Sequence, residues 1–139
     1  MRKCAFKINL LLEEAKKRYC DWLNEDVEFK LDEYRNYVHQ SVYVSQFEEG
    51  WTYFEDLAGE VFFGLSNQSW MKMAKNNCLT YAYYDEDFNA ELIVIEDSNF
   101  IREFLLYEDE LDNNVDFGSS VLLEGWDDVV TFFEKELTG

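Results

Sequence analysis

The sequence predicts an α+β domain: a mostly antiparallel β-sheet with an N-terminal helix, a short middle helix and a C-terminal helix. Three observations carry that prediction. Apolar residues recur at three- and four-residue steps near both ends of the chain. Through the middle the period changes to two. Turn-forming residues break the β-prone middle into short runs.

Near the start, Ala5, Ile8, Leu12, Ala15, Tyr19 and Trp22 form a stripe, with Glu13, Glu14, Lys16, Lys17 and Arg18 mostly outside it. One helix across roughly residues 5–24 is expected. Asn24 to Lys30 is polar and reads as a loop, and Leu31 to Tyr37 fits neither period. From Ser41, Val42, Val44 and Gln46 alternate with Tyr43, Ser45 and Phe47. Glu48-Glu49-Gly50 and then Trp51-Thr52-Tyr53-Phe54 complete a hairpin pattern. Glu60 to Gly64 reads as a third strand. Ser66 can cap a short helix through Trp70, Met71, Met73 and Ala74, because its hydroxyl can accept the free amides of a first turn. Leu79 to Tyr84 reads as a strand. Leu92 to Ile95 and Ile101 to Tyr107 read as a hairpin around Asp97-Ser98-Asn99. Trp126, Val129, Val130, Phe133 and Leu137 share one face of a closing helix. The 139 residues form a single expected domain, 1–139, with no proline, no low-complexity linker and no internal repeat.

Charge carries most of the functional information. Thirty Asp and Glu stand against twelve Lys and Arg, a formal net charge of -18. Acidic disordered tails lack aromatic residues, whereas here 18% are aromatic and 47% hydrophobic. A folded, self-repelling anionic domain is expected, and a cationic partner explains such a surface. Nucleic acid and anionic membrane are both excluded as direct partners by sign. The charge is uneven. Residues 1–18 hold six bases and two acids, whereas residues 85–116 hold twelve acids and one base, Arg102. The apolar stretch Ile8 to Leu12 is too short for a signal core or a membrane span. Cys4, Cys20 and Cys78 are odd in number and lack metal-site spacing, so reduced thiols and a cytoplasmic location are expected.

No nucleophile motif, zinc motif or phosphate-binding glycine loop is present, and a non-enzymatic protein without cofactor is expected. Asp85-Glu86-Asp87-Phe88-Asn89-Ala90, ending in Glu96, has acids or amides at EF-hand positions 1, 3, 5 and 12. Ala90 stands where that loop needs glycine, and the flanks read as strands, so an exposed acidic turn is favoured over a metal site. Asp112 to Asp116 lacks a glutamate at its twelfth position, Leu123, and reads as a solvated loop. His39 is the only histidine and reads as structural. Cys78 reads as a buried strand residue.

Most aromatic residues should be core, packed in a sheet with one helical cover. Strand alternation should nevertheless send one of Tyr83 and Tyr84 outward. Tyrosines beside carboxylates make good anchors for Arg- and Lys-bearing partners. The candidate partner-binding residues are therefore Asp85, Glu86, Asp87, Glu108, Asp109, Glu110 and Asp112, with Tyr83, Tyr84 and Tyr107 as aromatic anchors.

The landmarks Gly50-Trp51-Thr52-Tyr53-Phe54, Phe63-Gly64-Leu65-Ser66, Trp70, Arg102-Glu103-Phe104, Asn114, Gly118 and Trp126-Asp127-Asp128-Val129 extend over about residues 47–134. Together they resemble small acidic immunity proteins of bacterial polymorphic-toxin and contact-dependent inhibition systems. The resemblance implies a cytoplasmic, non-enzymatic protein that binds a cognate toxin domain and blocks it. It assigns no binding residues, because such interfaces differ between families. Toxins that attack nucleic acid tend to be basic, and an acidic inhibitor would be steered onto them. Two alternatives share the charge argument: a nucleic-acid mimic that inhibits a defence nuclease, and a regulatory module that binds a basic protein segment.

Overall fold

A computed structural model describes residues 2–23, 28–34 and 36–137. Among these residues, nine strands form one antiparallel sheet, with three helices laid against its two faces. The strands are β1 (Lys3–Ile8), β2 (Lys30–Leu31), β3 (Tyr37–His39), β4 (Val42–Glu48), β5 (Trp51–Asp56), β6 (Leu79–Tyr84), β7 (Ala90–Glu96), β8 (Asn99–Leu106) and β9 (Val115–Phe117). The helices are α1 (Leu12–Leu23), α2 (Asn67–Ala74) and α3 (Trp126–Glu136). Across the sheet the order is β2-β3-β4-β5-β1-β6-β7-β8-β9. The α+β class and the three helical positions are as the sequence predicts.

The helix expected over residues 5–24 begins instead at Leu12, and residues 3–8 form the central strand of the sheet. A strand buried on both faces shows no polar–apolar alternation, so its apolar residues can equally extend a helical stripe. Here Cys4, Phe6 and Ile8 enter one core layer and Ala5 the other. Lys7 lies on the second face with its ammonium over the Phe47 and Trp51 rings, 5.0 and 5.3 Å from their centroids. Asn9 ends the strand: its Oδ1 accepts the Cys78 amide at 2.8 Å, and its own amide bonds Cys78 O.

Glu60 to Gly64 is a looped segment rather than a strand. The cause is Asp56, buried at the end of β5. Its carboxylate accepts the Ser41 hydroxyl and the amides of Gly59, Val61 and Phe62 at 2.6–3.2 Å. Those amides turn inward on one carboxylate, which is incompatible with a ladder to a neighbouring strand. The expected loop over Asn24 to Lys30 falls partly on residues 24–27, outside the described residues, and Lys30 itself opens β2. Cys78 is half-buried and precedes β6, instead of lying buried within it.

The sheet has a helical cover on each face instead of one. On the first face, α1 and α2 enclose an aromatic core of Phe6, Tyr19, Phe54, Phe62, Trp70 and Tyr81. Phe6 stacks on Phe54 at 4.6 Å and meets Trp70 edge-on at 5.5 Å. On the second face, α3 buries Val129, Phe133 and Leu137 against Ala5, Ala82, Leu92 and Phe104. The Ser66 cap forms as expected, its Oγ accepting the Ser69 amide at 3.2 Å. At the other end of α2, the Arg18 guanidinium donates to the carbonyls of Met73, Ala74 and Lys75. Those carbonyls lack helical partners and carry the negative end of the helix dipole.

Candidate functional site

Strand pairing decides where the two acidic stretches meet. Lys3 pairs with Tyr84, Tyr84 with Ala90, and Ala90 with Leu106. The β6–β7 turn and the exit of β8 therefore lie at one end of the sheet. Hydrogen bonds join them there. Asn89 Oδ1 accepts the Glu108 amide at 3.0 Å, and Trp126 Nε1 donates to Asp85 O at 3.0 Å. Phe88 meets the Trp126 ring edge-on at 5.1 Å, which brings in the start of α3.

Of the expected partner-binding residues, Glu86, Asp87, Glu108, Asp109, Glu110 and Asp112 are exposed and share this end. Exposed Glu124 and Asp127, which the sequence reading missed, extend the same surface from the start of α3. Their neighbour Asp128 has another role, its carboxylate accepting the amides of Glu124 and Gly125 at 2.7 and 3.2 Å. Exposed Phe88 and Leu111 lie among these carboxylates.

Three expected site residues, Asp85, Tyr83 and Tyr84, are placed differently, and Glu96 stands apart from the disfavoured calcium loop. Asp85 is buried. One carboxylate oxygen accepts the amides of Asp87 and Asn89, and the other accepts the Tyr83 hydroxyl at 2.6 Å and Asn89 Nδ2 at 3.2 Å. Burial pushes its pKa up, but these four donors outweigh burial and hold it below the ordinary value. Asp85 shapes the turn and offers no free oxygen to a partner. Glu96 stands at the far end of β7, six extended residues beyond Ala90, or about 20 Å, and cannot close a calcium loop with Asp85. Tyr83 and Tyr84 are both buried, one in each core layer, because both faces are covered. Tyr84 packs edge-on to Trp126 and Phe133 at 5.9 and 5.5 Å, and burial raises its hydroxyl pKa.

Tyr107 is half-buried at the base of the acidic segment, and its hydroxyl donates to Glu91. Glu91, absent from the expected site, is 3% exposed. It also accepts the Tyr81 hydroxyl at 2.6 Å and the Gly64 amide at 3.2 Å. Burial raises its pKa, and those three donors oppose the rise without cancelling it. A glutamate within an apolar strand run was the available signal, since a buried carboxylate must be hydrogen-bonded. This network ties β7, β8 and the 62–64 segment beneath the acidic surface.

Three of the resemblance landmarks, Arg102, Asn114 and Gly118, serve the fold. Arg102 is 2% exposed and donates to Asp116 at 2.6 Å and to the carbonyls of Phe117 and Val121 at 2.8 Å. Asn114 Oδ1 accepts the Tyr107 amide at 2.7 Å. Gly118 has φ +89°, and a Cβ there would meet Ile101 O at 2.2 Å. His39 is half-buried, its ring edge-on to Phe29 at 6.2 Å. Among the described residues, no group of three or more His, Cys, Asp or Glu is placed to hold a metal ion, and no helix is long and apolar enough to cross a membrane. The chain matches no protein-family model, no curated protein and no solved structure.

Proposed function

We propose that this protein is an immunity protein that neutralises a cationic bacterial toxin domain by covering its active site with the acidic end of the sheet. One observation carries the reading. Two acidic stretches separated by some twenty residues of chain are hydrogen-bonded into a single exposed surface with apolar side chains among the carboxylates. Such a surface attracts a basic protein over a long range and offers apolar contact once it arrives. The acids do not serve the fold in the way Asp56 and Asp85 do. Among the described residues, no ion pair engages Asp87, Glu108, Asp109, Glu110 or Asp112. Holding them together costs electrostatic self-repulsion, which a cationic partner would offset.

Co-expression tests the reading. The candidate partner is the product of the adjacent gene, produced in a bacterial host with and without this chain. Restored growth is expected with the wild-type chain, and loss of protection with the triple variant Glu108→Lys, Asp109→Lys, Glu110→Lys at equal folded yield. A neighbour that is harmless, or protection that survives the triple reversal, contradicts it.

A further inference from the structure

A groove of about 530 Å³ opens beside the acidic segment, between the segment leading into α2 and the exit of β8. Phe63 and Tyr107 form an aromatic wall, and Asn89, Asp109, Glu110 and Asn113 stand around it. Both rings are held in place before any ligand arrives. Tyr107 is anchored by its hydroxyl to Glu91. Phe63 packs on Tyr83 at 4.4 Å and edge-on to Tyr107 at 6.1 Å, yet remains 38% exposed.

The chemistry of the groove selects a cation. The Asp109 carboxylate has no hydrogen-bond or ion-pair partner among the described residues. Glu110 is oriented by Asn113 Nδ2 at 2.6 Å. Buried Glu91 adds a third carboxylate behind Tyr107. No Lys or Arg is among the described lining residues. Two nearby amides are already occupied: Gly64 N donates to Glu91 and Ser69 N to Ser66 Oγ.

We propose that this groove receives the guanidinium group of an arginine on the partner protein. The inference rests on the reading that the acidic end docks a cationic protein, and it names one contact beside that surface. A guanidinium is flat, stacks on an aromatic wall and presents a fork of donors to carboxylates. A lysine ammonium lacks the plane and the fork. Rings already fixed by Glu91 and Tyr83 lower the ordering cost of binding.

The test needs no toxin. N-acetyl-arginine amide is titrated into the protein and followed by two-dimensional NMR, beside the lysine analogue and the uncharged isostere N-acetyl-citrulline amide. Saturable shifts at Phe63, Tyr107, Asn89 and Asn113 are expected with arginine, weaker ones with lysine and none with citrulline. Asp109→Asn, an exposed change that leaves the fold intact, should weaken arginine binding about two- to fivefold. Phe63→Leu should weaken it as well. Shifts scattered over the whole acidic surface, equal binding of lysine or citrulline, or an unaffected Asp109→Asn variant would overturn the proposal. Growth protection without arginine binding would remove the groove and leave the immunity reading standing; arginine binding without protection would do the reverse.

Discussion

At the scale of single residues, the buried carboxylates separate structural acids from available ones. Asp56 gathers three amides and a hydroxyl, so Asp56→Ala leaves several buried donors unpaired. A loss of about 3 kcal/mol or more in unfolding free energy is expected by denaturant titration. A loss below about 1 kcal/mol, the size of one ordinary hydrogen bond, would contradict that role. Glu91 and Asp85 make opposite contributions to pH dependence. Burial raises the Glu91 pKa above its ordinary 4.5, so the folded state holds that proton more tightly than the unfolded chain. Its contribution to stability is fully present below the ordinary value and is lost as pH rises through the folded value. The Asp85 pKa is lowered from 3.8, so its contribution is present above that value and lost as pH falls through the folded one. Glu91→Gln should remove the first dependence. Between about pH 4 and pH 7 the melting temperature of the variant should gain on that of the wild type. A constant difference, or a relative loss by the variant, would count against a raised Glu91.

At the scale of elements, legibility followed turn residues and one-sided stripes. β6 and the β7–β8 hairpin were readable as β-prone runs set off by turn residues, although β6 and β7 are buried on both faces, and α3 was readable by its stripe of Val129, Phe133 and Leu137. The central strand was not, because burial on both faces erases alternation and leaves Ala5 and Ile8 to extend the α1 stripe. The same double cover hid both Tyr83 and Tyr84. Local chemistry was more dependable than period. Ser66 caps α2, and Ser66→Ala should cost about 1 kcal/mol. Gly118 is the stricter position. Its Cβ would strike Ile101 O, whereas at Gly50, φ +82°, a Cβ meets nothing within 4 Å. Gly118→Ala should therefore lower the melting temperature clearly more than Gly50→Ala, for which about 1 kcal/mol of backbone strain is expected. Equal losses would mean that the backbone beside β8 yields, and that φ alone sets the cost at Gly118.

At the scale of the whole molecule, the two acidic stretches were legible as composition, but their meeting was not. It depends on register, on the Asn89–Glu108 hydrogen bond and on the docking of α3 through Trp126, none of which residue counts contain. Glu91 escaped notice for a related reason: its partners Tyr81, Tyr107 and Gly64 come from three separate segments. Lys17, Arg18, Lys72 and Lys75 line the groove between α1 and α2 together with Glu14 and Asp21. The most direct measurement is the association rate of the purified chain with the candidate partner, the product of the adjacent gene, over a series of ionic strengths. The wild-type rate should fall steeply as salt rises. At low salt, Glu108→Lys, Asp109→Lys, Glu110→Lys should associate at least about tenfold more slowly at an unchanged melting temperature. Glu96→Lys with Asp97→Lys, exposed at the opposite end of the sheet, should leave the rate nearly unchanged. A rate indifferent to salt, or equal slowing by the two variants, would contradict an acidic end that docks a cationic partner.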